Sequence, residues 1–122
     1  MILDTNFLID LLKNDKGAVE KLEELKDVKE PLILPPGVLY ELYVGADSET
    51  EIERIKENLD RAELTPAAEK EAARTKRKLM QEGEPISSID YLIAGTARHL
   101  NEKILTKDQH LEKLEEVKTE NY

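Results

Sequence analysis

Cysteine and tryptophan are absent from this chain, and one Phe, four Tyr and two His are its whole stock of aromatic and imidazole rings. Without thiols there can be no disulfide, no thiolate zinc site and no cysteine nucleophile. So few aromatic faces also leave little on which bases could stack. No stretch nears the roughly 18 to 20 apolar residues of a membrane helix, and the N-terminus lacks the basic region and long apolar run of a signal peptide. A soluble, cytoplasmic protein is expected. Basic residues are outnumbered 18 to 27 by acids, for a net charge of −9. That argues against wrapping nucleic acid through a basic surface, a mode that works by counterion release. An acidic site that reaches phosphate through a cation stays open. Linkers, repeats and low-complexity tracts are missing as well, so 1–122 is expected to be a single domain around one core.

What is present is organised around Met1-Ile2-Leu3-Asp4, an apolar run that stops at an acid. It reads as a short buried strand with a carboxylate at its C-terminal tip. If that strand is central in a parallel sheet, the tip opens onto the crevice where open α/β folds place ligands; alternatively Asp4 only caps the following helix. That helix is expected over Phe7–Leu12, and Val19, Leu22 and Leu25 mark an amphipathic helix from Ala18 to about Val28. Pro31–Leu34 is the next buried strand, closed by Pro35-Pro36-Gly37. Val38–Val44 is apolar nearly all round, which predicts a mostly buried helix with Glu41 as its anomaly. Further helices are expected from Asp47 to Ala62 and from Pro66 to about Gln81. The second carries the basic cluster Arg74, Lys76, Arg77 and Lys78, which reads as a solvated face balanced by nearby Glu. Gly83-Glu84-Pro85 breaks it. Ser87 and Asp90 then resemble a capping box at the head of a helix that runs to about Asn101 and contains the small run Gly95-Thr96-Ala97. Ile104-Leu105-Thr106-Lys107-Asp108 repeats the opening pattern of strand, Thr and acid. A short helix with Leu111 and Leu114 follows, and Val117–Thr119 is a candidate edge strand.

Short apolar strands alternating with helices indicate a parallel sheet covered on both faces, a three-layer α/β/α arrangement. Asp4 and Asp108 would then share one sheet edge, with Glu41 and Asp90 near the starts of helices that leave the same edge. Converging carboxylates repel unless protonated or bridged by a cation. Oxygen donors suit Mg²⁺ or Mn²⁺, ions that bind phosphodiesters and activate water. Other chemistries lack their residues. None of Ser48, Ser87 and Ser88 lies in a nucleophile elbow, no Gly-rich phosphate loop or EF-hand occurs, and Asp4-Thr5-Asn6 lacks the second acid of an Asp-x-Asp phosphatase. His99 and His110 could form a metal-free acid–base pair, although both read as surface residues.

Ile2-Leu3-Asp4-Thr5-Asn6, Tyr40-Glu41-Leu42, Ile89-Asp90-Tyr91-Leu92-Ile93-Ala94 and Leu105-Thr106-Lys107-Asp108 together resemble the ordered motifs of PIN-domain proteins, in particular VapC-type toxins of toxin–antitoxin pairs. The resemblance implies a metal-dependent endoribonuclease with Asp4, Glu41, Asp90 and Asp108 as ligands of Mg²⁺ or Mn²⁺. Thr5, Asn6 and Thr106 would support them by hydrogen bonds, and Lys107 and His110 would be placed to contact phosphate. It further implies a homodimer held silent by a small antitoxin. Where the family often reads Asp-x-Asp-Phe, this chain has Asp108-Gln109-His110-Leu111, so the acid of a second metal position is missing and His110 is the candidate in its place for phosphate or a metal. The rival readings are a housekeeping RNA-processing nuclease of the same fold and a catalytically silent module that binds RNA or protein.

Overall fold

A computed structural model describes residues 1–83 and 86–122. In chain order the elements are β1 (Ile2–Leu3), α1 (Thr5–Leu12), α2 (Lys16–Asp27), β2 (Ile33–Leu34), α3 (Val38–Val44), α4 (Glu49–Glu57) and β3 (Asp60–Arg61). They continue with α5 (Pro66–Glu82), α6 (Ser88–Leu100), β4 (Ile104–Leu105), α7 (Gln109–Glu112) and β5 (Thr119–Glu120). The five strands form one sheet in the order β3-β2-β1-β4-β5, parallel throughout. β1 is central, and Ile2 and Leu3 are wholly buried, as are Ile104 and Leu105 beside them. A strand covered on both faces needs apolar side chains on both, which is why these runs do not alternate.

Right-handed crossovers divide the helices between the two faces. The chain steps outward from β1 to β2 and β3, which puts α1 to α4 on one side. It then crosses back to β4 and β5, which puts α5 to α7 on the other. Contacts follow this division: α1 packs on α2 and α3, α3 on α4, and α5 on α6. The result is the expected three-layer α/β/α architecture. Phe7 and Leu8 of α1, Val38 and Leu42 of α3, Ile52 of α4 and Ile93, Ala94 and Ala97 of α6 close the core over the sheet. No helix among the described residues is long and apolar enough to cross a membrane.

Three expectations are corrected. The stretch expected as one helix from Asp47 to Ala62 is α4 followed by β3. Asn58 caps α4, its side-chain amide donating to the Arg54 carbonyl at 3.0 Å, and Asp60 and Ala62 then donate backbone N–H bonds to Leu32 and Leu34 at 2.9 Å each. An edge strand of two exposed charged residues has no apolar period to betray it. α3 is not mostly buried: Tyr40 and Val44 are 66% and 74% exposed, because neighbours cover only one side of this short helix. The last strand begins at Thr119, two residues later than its expected start at Val117. Gly95, in the small run, is packed by α5. A Cβ there would lie 2.5 Å from the Ala68 carbonyl oxygen and 2.6 Å from the Ala72 nitrogen. Gly83 caps α5 in the left-handed region, and the other two residues of the expected break, Glu84 and Pro85, lie outside the described residues.

The α5–α6 crossing therefore has no room for a methyl group against main chain. Gly95→Ala should destabilise the fold by about 1–3 kcal/mol, the usual cost of overpacking, despite the better helix propensity of Ala. Urea denaturation checks it, and a variant as stable as the parent would show that the two helices can separate without loss.

Candidate active site

The order of connections reverses between β1 and β4, the one place in the sheet where adjacent strands send their chains in opposite directions. Open α/β folds form their ligand crevice at the carboxyl ends of such a pair. Asp4 leaves β1 there, and Thr106 and Asp108 leave β4.

Asp4 is 3% exposed. Its Oδ1 accepts from the Thr5 backbone N–H at 2.8 Å, and its Oδ2 accepts from the Thr106 hydroxyl at 2.6 Å. The Thr106 hydroxyl in turn accepts the Asp108 backbone N–H at 2.9 Å, so one buried oxygen ties the tips of β1 and β4 together. Thr5 turns its own hydroxyl to Glu41, donating to Oε1 at 2.5 Å, which links α1 to α3. Glu41 is brought near Asp90 by Gly37, whose φ of +90° turns the chain into α3; a Cβ on Gly37 would meet Ile89 Cδ1 at 2.7 Å. Asp90 sits in the first turn of α6, where the Ser87 hydroxyl accepts its backbone N–H at 3.2 Å, completing the expected cap. Asp108 caps α7 by accepting the His110 N–H at 2.8 Å, and His110 Nδ1 lies 3.2 Å from the same oxygen.

The electrostatics show that these acids share one region. Burial is the main force raising Asp4 from 3.8 to about 6, with the charges of Asp90 and Asp108 adding to it and the Thr106 and Thr5 bonds opposing it. Asp90 is raised chiefly by burial and further by the charges of Asp108 and Glu41, against the Ser87 bonds. Asp4 and Asp108 thus also cap helices, and the four acids are electrically linked. As the side chains stand, however, no three Asp, Glu or His groups among the described residues converge closely enough to hold an ion.

Of the expected supporting residues, Thr5 and Thr106 make direct bonds to the acids, whereas Asn6 is exposed. Lys107 sits between Thr106 and Asp108, its ammonium 4.3 Å from the centroid of the Tyr122 ring. Tyr122 and Asp10, whose side chains are joined by a 2.5 Å hydrogen bond, carry no sequence signal and were not anticipated. His99 and His110 line different cavities and form no pair. The basic cluster divides: Arg74 and Lys78 face a groove of about 680 Å³ that His110 also lines, paired with Glu71 and Glu115, while Lys76 lies 6.0 Å over the Tyr91 ring.

A PIN domain model matches residues 1–117. The chain belongs to the PIN domain family. Solved structures with the same fold include VapBC2 from Rickettsia felis bound to a promoter DNA fragment, at 21% identity, TM-score 0.88 and coverage of 99% of this chain and 97% of that one. DNA-bound VapBC from Salmonella typhimurium aligns at 21% identity and TM-score 0.86, covering 98% and 96%. VapBC-1 from nontypeable Haemophilus influenzae aligns at 20% and 0.81, with the same coverage. No curated protein sequence matches this PIN domain.

Two outcomes follow for the PIN domain crevice. In chelator, the Asp4 carboxyl followed by carbon NMR should titrate near pH 6 and move downward in Asp90→Asn, which removes a repelling charge. Because the folded value is raised, Asp4 stabilises the protein fully below 3.8, and this contribution, about 3 kcal/mol on the same shift, is lost as pH rises through 6. A midpoint near 4 would mean that water reaches the carboxylate. Thr106→Val keeps the shape and removes the hydroxyl. It should cost about 1–3 kcal/mol in denaturant melts, since it leaves a buried acceptor and an N–H unmatched, and should raise the Asp4 midpoint; Thr106→Ser should restore both.

Proposed function

We propose that this PIN domain is a metal-dependent endoribonuclease, the VapC-type toxin of a toxin–antitoxin pair, and that Asp4, Glu41, Asp90 and Asp108 bind its Mg²⁺ or Mn²⁺. The observation that carries the reading is the coupled set of carboxylates at the β1–β4 crevice, in which a buried Asp4 is raised to about 6 and every charge that perturbs it is negative. Such a set is electrostatically incomplete. A divalent cation would supply the missing charge, and carboxylate oxygens are the donors that Mg²⁺ and Mn²⁺ take. The donor chemistry fits, and Glu41, Asp90 and Asp108 would hold the ion together with Asp4.

When bound, such an ion neutralises phosphate and lowers the pKa of water for attack on phosphorus. The residues of the chain do the rest. Thr106 and Thr5 hold Asp4 in one rotamer, each leaving a lone pair on its carboxylate oxygen. Thr5 also orients Glu41. Lys107 and His110 stand beside Asp108 to meet a phosphate. A negative surface gives little affinity for RNA without metal, so substrate binding and chemistry depend on the same ion.

The partner part of the reading is supported by the VapBC complexes that share the fold and by the apolar surface that α3 exposes at Tyr40 and Val44. A small antitoxin with a basic segment would suit the acidic crevice, and a second copy of the chain would form a homodimer in the cytoplasm.

The test is cleavage of a mixed structured RNA pool with Mg²⁺, with Mn²⁺ and with chelator, beside an Asp4→Asn variant prepared identically. Cutting is expected with either ion, none in chelator, and none by the variant. If the folded parent, free of any bound small protein, leaves RNA intact with every ion, the nuclease reading fails and a silent binding module replaces it.

A further inference from the structure

Lys107 is rooted in the crevice. Its neighbours Thr106 and Asp108 are fixed by hydrogen bonds to each other and, through Thr106, to Asp4. A lysine carried between residues of an acidic crevice ordinarily pairs with a carboxylate, yet the partner of its ammonium in this structure is the face of the Tyr122 ring at 4.3 Å, and no carboxylate among the described residues pairs with it. The ring is held from two further directions. Its hydroxyl donates to Asp10 Oδ2 at 2.5 Å, and the ring packs on Phe7 in a T-shaped pair with centroids 5.0 Å apart and planes at 78°. Phe7 is wholly buried in α1. The ring is therefore a fixed, neutral platform anchored to the helix that Asp4 begins. Its position near the crevice is also felt electrically: burial, then Asp10, then the charge of Asp4 hold the Tyr122 phenol above its ordinary range.

We propose that Tyr122 is a positioning residue, which holds the Lys107 ammonium at the rim of the acidic crevice, off the carboxylates, so that it contacts a phosphate of bound RNA. The phosphate contact rests on the ribonuclease reading above; the tether does not. A neutral partner separates two tasks that a carboxylate partner would merge. The four acids keep their charge for a cation, and the lysine keeps its charge for substrate. A cation–π contact is also weak enough for the ammonium to lean toward a phosphate without leaving the ring.

The experiment has two arms on the intact chain. In the first, ¹³C-labelled lysine is observed by NMR without RNA, Lys107 being assigned through Lys107→Arg. The ring current should displace the Lys107 Cε resonance upfield; Tyr122→Leu should abolish the displacement, and Tyr122→Phe, which keeps the face and loses only the hydroxyl, should retain it. In the second, RNA cleavage with Mg²⁺ should show KM raised about two- to fivefold in Tyr122→Leu with kcat unchanged. Tyr122→Phe should restore KM, and Tyr122→Leu should add nothing in a Lys107→Ala background. A Lys107 resonance unmoved by Tyr122→Leu overturns the tether. A tether that is present while kcat falls and KM does not change, or effects of the two variants that multiply, overturns the role in substrate binding. RNA left intact by the parent protein overturns the nuclease reading and the phosphate contact with it, while the first arm still decides the tether.

Discussion

The hydrogen bond from the Thr106 hydroxyl to Asp4 is the interaction on which the crevice depends. It spans the two strands at which the sheet reverses its order of connections, and it fixes a carboxylate that burial would otherwise force to choose between a proton and a disordered rotamer. Everything nearby is referred to that carboxylate. Thr5 bonds it through the main chain and Glu41 through its hydroxyl, and Asp108 is placed by the same Thr106 oxygen that serves Asp4. The polar network is short and gives each Asp4 oxygen a partner, which is the condition under which a buried polar group gives a unique arrangement instead of a strained one.

Around that fixed point the charge is one-sided. Asp90 and Asp108 both act on Asp4, and Asp108 and Glu41 both act on Asp90. A protein gains no stability by holding like charges together in partial burial. The arrangement makes physical sense as a receptor for positive charge, whether the visitor is a hard cation, a basic peptide or a lysine of the chain itself. Lys107 is kept from being that visitor by an aromatic face, so the vacancy in charge is preserved.

Much of this was legible in the residues. Ile2-Leu3 and Ile104-Leu105, the first followed at once by an acid and the second by Thr106-Lys107-Asp108, announce buried parallel strands with polar tips, and their pairing in register is what brings Asp4 to Thr106. The caps at Asp4 and Ser87 were written in local spacing. Other parts were not legible because their causes are not local. β3 is made only by the carbonyls of β2 on which it leans, and its own Asp60 and Arg61 look like helix surface. The exposure of Tyr40 and Val44 depends on what fails to pack over α3, which no periodicity reports. Tyr122 meets Phe7, Asp10 and Lys107 only after the sheet has formed; in the sequence it is an isolated tyrosine in a polar stretch.

The crevice is also a matter of time. Asp4 and Thr106 are separated by 102 positions, yet they share one hydrogen bond, and Glu41 and Asp90 come from the stretch between. Contacts so distant along the chain form late and slowly, after the local helices. During synthesis Asp4 is made 102 residues before Thr106, and it waits beside an empty strand position until β4 arrives. Until then the carboxylate is solvated and unoriented, and the charges that later crowd it are unmade or far away. While the stretch between them is made, the sheet is therefore incomplete and the crevice unassembled, and whatever reactivity the crevice confers comes in one later step.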